Sequence, residues 1–260
     1  MITFRSPCKT RTWIMALVSY ALVAGCGDNN GPPTVRLLAA DGAAGNLSNL
    51  YTLNPATGAV TSTIGAINFA VTGLAVDPTT KTLYGVTGGS DPSSPGFLIT
   101  INKTTGVGTI VGDLFAGSTS PVADITFTSD GTLYGWSENT DELVMISKTT
   151  GVATVVGASG ISTYGSGIAA SSGNVLFLTG EGDNGDLRTV DRATGVTTVV
   201  ATLNGTGSTS INALAFNGST LYGSHQITST TAELITINTT TAAITVVGPS
   251  VAKLDAIVFE

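Results

Sequence analysis

Oxygen donors dominate the chemistry this chain could do. Carboxylates crowd three short polar stretches: TGGSDPSSPG (87–96) holds Asp91, SENTDE (137–142) holds Glu138, Asp141 and Glu142, and GEGDNGD (180–186) holds Glu181, Asp183 and Asp186. A fourth stretch, SHQITSTTAE (224–233), holds His225, the only histidine. Asp124, Asn212 and Asp255 add polar groups near the heads of alternating apolar runs. Hard oxygens in loops suit calcium, so calcium is an option, although GDNGD lacks the full ligand series of an EF-hand loop. Two carboxylates could share general acid and base work at a glycosidic bond, but spacing singles out no pair. His225 would have to serve any Ser-His-Asp triad, no GxSxG elbow accompanies it, and a lone histidine excludes a multi-histidine metal centre. The expectation is a non-catalytic protein with no catalytic residue and no resident metal or cofactor. Its candidate ligand-binding residues are Asp124, Glu138, Asp141, Asp183, Asp186, Asn212, His225 and Asp255. The plainer alternative is that these loops are acidic only to stay solvated.

A repeat positions these residues. The turn NPATG (54–58) returns as NKTTG (102–106), SKTTG (147–151), DRATG (191–195) and NTTTA (238–242), each flanked by alternating strand patterns. Asn, Asp or Ser at its head can accept a hydrogen bond from a backbone N–H two residues on, and the closing Gly takes positive φ at little cost, so each copy reads as a hairpin. The fifth copy ends in Ala242, which predicts a distorted turn or one of another type. A second hairpin alternates with the first: GLAVDPTTKTLYG (73–85), DITFTSDGTLYG (124–135), GIAASSGNVLFL (167–178) and ALAFNGSTLYG (213–223). One repeat therefore holds four short strands, a length that suits a propeller blade. The chain starts with three strands of a repeat, beginning TVRLLAAD (34–41), and ends with the missing first strand, LDAIVFE (254–260). Joining them completes a fifth blade and removes the open edges.

Composition agrees. The chain has 260 residues, 42% apolar and only 10% charged, with 33 glycines, enough for a real core built from strands and tight turns. Basic Arg5, Lys9 and Arg11 precede an apolar run from Trp13 to Ala24. That run is shorter than the roughly 20 residues a spanning helix needs and reads as a secretory leader. Without the leader, seven basic residues face seventeen acidic ones, a formal charge of −10. Such a surface repels phosphate backbones, which excludes nucleic acid as a partner. The only cysteines are Cys8, in the leader, and Cys26, so the remaining domain has none for a disulfide or a metal. GDNNGPP (27–33) reads as a polar linker.

The stretch Leu22-Val23-Ala24-Gly25-Cys26 resembles the lipobox of bacterial lipoproteins. The resemblance implies removal of residues 1–25, diacylation of Cys26, and a membrane anchor that needs no spanning helix. Gly27 after the cysteine, in place of Asp, implies the outer membrane, facing the periplasm or the cell surface. Residues 34–260 resemble secreted five-bladed β-propellers, with a blade grammar similar to the NHL, YVTN and LYG/TG-repeat families. The resemblance implies an all-β ring of four-stranded blades closed by pairing the C-terminal strand with three N-terminal strands. It also implies that the variable, acidic loops share one face, where binding usually lives, and that the uniform turns share the other. Five-bladed glycosidases place acids around the axial pocket, but they are richer in aromatics than the 6% here. Trp136, Tyr164, Phe69 and Phe115 could stack on sugars, as in propeller lectins, or wedge between blades. The function expected is a monomeric, membrane-anchored binding or protein-interaction module, with a carbohydrate-binding module or a glycosidase-type hydrolase as alternatives.

Overall fold

The computed structural model describes residues 35–42, 45–116, 121–181, 185–204 and 211–260. Cys26, Asp183, the leader and the linker lie outside the described residues. The unit from Val35 to Glu260 is built of twenty strands among those residues, with no helix longer than a turn. The GLAV-type strands Val71–Val76, Val122–Phe127, Tyr164–Ala170, Ile211–Asn217 and Leu254–Phe259 are the innermost strands of five antiparallel, four-stranded blades. Blade 2 runs outward from the axis as Val71–Val76, Leu83–Thr87, Phe97–Ile101 and Gly108–Asp113. Two parallel pairs, Ser166 with Ile211 and Asn204 with Ala243, link blades 4 and 5.

Blade 1 is closed as the two ends of the chain require. Leu254–Phe259 pairs with Leu37–Asp41 in register Leu37 to Phe259 through Ala40 to Ala256. Arg36 and Glu260 extend the pairing by exchanging both backbone hydrogen bonds, 3.1 and 3.0 Å. All inner strands run the same way. The inter-blade connections and the loops between second and third strands therefore share one face, here the carboxylate face. The inner hairpin turns and the NKTTG-type turns share the other, the turn face.

Alternation of apolar residues fills the gaps between blades. Leu38, Leu50, Leu74, Leu83 and Ile99 interlock blades 1 and 2, and equivalent clusters join each later pair. At roughly 25 cal/mol per Å2 of apolar surface buried, this inter-blade packing outweighs any polar contact in the ring. Trp136 is fully buried between blades 3 and 4, its indole N–H donating to Thr163 Oγ1 at 2.9 Å, while Phe69 and Phe115 pack against the core edges. Of the four aromatics named for sugar stacking, only Tyr164 stands exposed.

The turn glycines serve two ends. Gly106 has φ of 84° and its Cα lies against the edge of the preceding blade, so that a Cβ would come 2.6 Å from the carbonyl oxygen of Gly65. Gly151 meets Gly112 in the same way. The blade 5 turn corrects the expectation of distortion. Ala242 takes φ of 54°, its N–H donates to Asn238 O at 2.9 Å, and Asn238 Oδ1 accepts from Thr240 and Thr241 N–H, as in the other copies. Its neighbour on the blade 4 edge is Ala201 in place of the usual glycine. The sequence thus substitutes both partners of one glycine contact, and both alanines pack into the cluster between blades 4 and 5.

Candidate functional site

Each inner strand carries one extra residue at its carboxylate-face end. The register slips across Thr72 in blade 2, Ala123 and Asp124 in blade 3, Gly165 and Ser166 in blade 4, Asn212 in blade 5 and Asp255 in blade 1. Such bulges bend a strand and re-aim side chains. Three of the residues singled out from the sequence, Asp124, Asn212 and Asp255, are therefore bulge residues around one axis.

Asp124 fills the axis itself. Its side chain is fully buried; Oδ1 accepts from its neighbour Ile125 N–H at 2.9 Å, and Oδ2 accepts from Ile168 N–H at 3.0 Å and Leu214 N–H at 3.1 Å. One carboxylate thus ties the inner strands of blades 3, 4 and 5. Gly73 makes room for it, since a Cβ there would lie 2.7 Å from Asp124 Cα. Burial pushes the Asp124 carboxyl well above the usual carboxylate range, against the pull of the three backbone donors and with the negative charge of Asp255 adding to it.

Asp255 accepts from Asn212 Nδ2 at 3.0 Å. Burial raises its pKa to about 7; the Asn212 hydrogen bond opposes the rise and the charge of Glu138 adds to it. Glu138 comes from the loop after the second strand of blade 3 and accepts from Ser166 N–H at 3.2 Å. Burial raises its pKa too, with Asp141 contributing repulsion. Asn212 Oδ1 is buried without a protein partner. Beside this entrance lies a depression of about 210 Å3 between blades 1, 2 and 3, lined by Thr72, Ala123, Pro121, Ser90 and Glu138, and Glu138 is its one charged group.

The other candidates brace neighbouring segments of the carboxylate face. Asp141 Oδ1 accepts from Thr163 N–H at 2.6 Å and Thr163 Oγ1 at 2.9 Å, and Thr163 in turn receives the Trp136 N–H. Asp186 receives Thr202 Oγ1 at 2.7 Å and faces Arg188 at 3.3 Å. Asp91 staples its loop through Ala70, Ser93 and Ser94 N–H groups. His225 is buried in the second strand of blade 5, with Nδ1 3.5 Å from Glu233 Oε2, and does not line the depression. Among the described residues no group of three or more His, Cys, Asp or Glu side chains is arranged to hold a metal. The structure brings together Glu138, Asp255, Asn212 and Asp124, and places Asp141, Asp186 and His225 elsewhere.

No family model matches the chain, and no curated protein matches it. Solved structures do. A chain of a nidogen/laminin complex is similar over 86% of this chain and 98% of its own length, with a TM-score of 0.59 and 15% identity. This chain is a β-propeller. TolB from Acinetobacter baumannii is similar over 83% of the propeller chain and 52% of its own length, with a TM-score of 0.53 and 12% identity. At such identities the likeness concerns fold, and the chemistry of this propeller must be read from its own residues.

Charge divides the propeller along its axis. The carboxylate face adds Asp41, Asp113, Glu142 and Glu233 to the acids already placed, against Lys253 and Arg188. The turn face pairs its charges: Lys103 with Glu260 at 2.5 Å, Lys148 with Asp77 at 2.7 Å, Arg192 with Asp130 at 3.8 Å, and Arg36 with Glu260. In three successive blades the second residue of the NKTTG-type turn reaches an acid on the turn face of the preceding blade, a regularity the sequence contains but spacing alone does not reveal.

Proposed function

We propose that this protein is a membrane-anchored, non-catalytic binding module that takes a cationic group, such as a lysine or arginine side chain of a protein partner, in the depression beside the axis. The observation that carries the reading is that Glu138 is the one charged group lining this depression, with Asp255 near enough for the two charges to act on each other. A depression of about 210 Å3 is below the about 300 Å3 at which small-molecule pockets begin, and suits one side chain better than a metabolite. Surrounding acids raise encounter rates with a basic partner by steering it. Anchoring through Cys26, outer-membrane location and a monomeric state belong to the same proposal, supported by the lipobox-like stretch and by closure of the ring through the pairing of Leu254–Phe259 with Leu37–Asp41.

The test is thermal unfolding of the chain against a lysine-rich peptide, an arginine-rich peptide, calcium and a glycan panel, since a ligand that binds only the native state raises the midpoint. A rise with basic peptides that is lost in Glu138→Gln supports the proposal. A rise with glycans alone transfers the site to exposed Tyr164, beside Glu138's donors Gly165 and Ser166, and a flat response to basic peptides refutes it.

A further inference from the structure

The two faces of the ring differ in more than charge. On the turn face, Val107, Val152 and Val196 follow the closing glycine of three successive turns and are 46%, 48% and 52% exposed. Val35 and Val175 join them at 50% and 44%. At the centre of this face the axial channel opens as a mouth of about 130 Å3, with half-buried Phe127, Phe216, Phe259 and Val258 on its rim. Five cations, Arg36, Lys81, Lys103, Lys148 and Arg192, sit among these groups against four carboxylates, Asp77, Asp130, Asp191 and Glu260. Cations interleaved with exposed apolar side chains suit the headgroup boundary of a bilayer, where apolar groups leave water and the charges stay wet. The carboxylate face exposes Leu47, Tyr164 and Ile227 as well, but sets them among acids rather than cations.

The path of the chain selects the same face. Arg36 is bonded to Glu260 at the end of the last inner strand, so residue 35 leaves the ring on the turn face, beside the Phe259 rim. Eight residues lie between Cys26 and Val35, and the nine Cα steps reach at most about 30 Å. An anchor on Cys26 therefore holds the turn face nearer the membrane than the acidic one. Anionic headgroups repel the acidic face within about a Debye length of 8–10 Å.

We infer that the turn face docks on the lipid bilayer, with the valines of the turns set against the headgroup boundary and the carboxylate face held outward for its partner. The inference rests on the anchor reading above. Its test uses the full-length, lipidated chain in mixed phosphatidylcholine and phosphatidylglycerol vesicles that contain a spin-labelled lipid. A fluorophore is placed on Thr104→Cys, exposed in a turn-face loop, or on Asn139→Cys, exposed on the carboxylate face. Co-flotation with the vesicles and quenching severalfold stronger at position 104 than at 139 are expected. The difference should collapse, with flotation retained, when Val107, Val152 and Val196 are all replaced by Ser. Flotation with equal quenching overturns docking and leaves the anchor standing; quenching unaffected by the triple replacement overturns the role of the valines. A chain that fails to float refutes the anchor and the docking together, and a Cys26→Ser control that still floats refutes the anchor alone.

Discussion

At the residue scale, the buried carboxylates set how stability follows pH. Asp255, at about 7, and Asp124 and Glu138, both raised, hold protons in the folded state that they release in the unfolded chain. Folding therefore takes up protons above about pH 4, where unfolded carboxyls ionise, and stability falls as pH rises from there through 7. Asp77, Asp130, Asp191 and Glu260 are depressed, and their contribution is lost only as pH falls below that range. Denaturant titrations should place the stability maximum on the acid side of neutral, at about pH 4–6. Asp255→Asn should flatten the decline toward pH 8, by up to a few kcal/mol. Asp124→Ala should cost about 2–4 kcal/mol at neutral pH, because the N–H groups of Ile168 and Leu214 lose their acceptor in a buried place. The acidic types of these residues were legible in the sequence. So was the place of Asp124 and Asp255 at the inner-strand entrances; their bonds were not, because alternation predicts which side of a strand a residue takes only while register holds, and both sit where it slips.

At the element scale, the repeated turn is both a hairpin and a contact between blades. Gly106→Ala should destabilise by at least about 1–2 kcal/mol, from positive φ alone, and more from the clash with Gly65. Ala242→Gly should change stability by less than about 1 kcal/mol, since relief of φ is offset by loss of a fully buried methyl. Thermal melts of the two variants distinguish a turn kept for its backbone from one kept for its contact. Lys148→Ala, which leaves Asp77 with only the N–H groups of Thr79 and Thr80, should cost about 1 kcal/mol, less at high salt. The motif had pointed to the hairpin but not to the paired substitution Ala201 with Ala242, because those residues lie in different repeats and only the ring makes them neighbours.

At the scale of the whole molecule, closure couples the first described residues to the last. Deleting 254–260 would leave blade 1 with an unpaired edge and remove Leu254, Ala256 and Ile257 from the core. Such a chain should lose its cooperative melt and aggregate through the open strand. Glu260→Ala removes only the Arg36 and Lys103 pairs and should keep the fold while lowering the midpoint by a few degrees, an effect that salt diminishes.

The sequence by itself determined strand order, blade content, ring closure and the separation of uniform turns from variable acidic loops, because turn chemistry and apolar alternation are local and repeat. Tertiary structure decided which acids do what. Asp141, Asp186 and Asp91 spend their oxygens on neighbouring segments of the carboxylate face, while Asp124, Asp255 and Glu138 meet near the axis. It also decided that charge and exposed valines divide between the two faces. Both outcomes depend on distances between residues more than forty positions apart, which only a closed ring fixes.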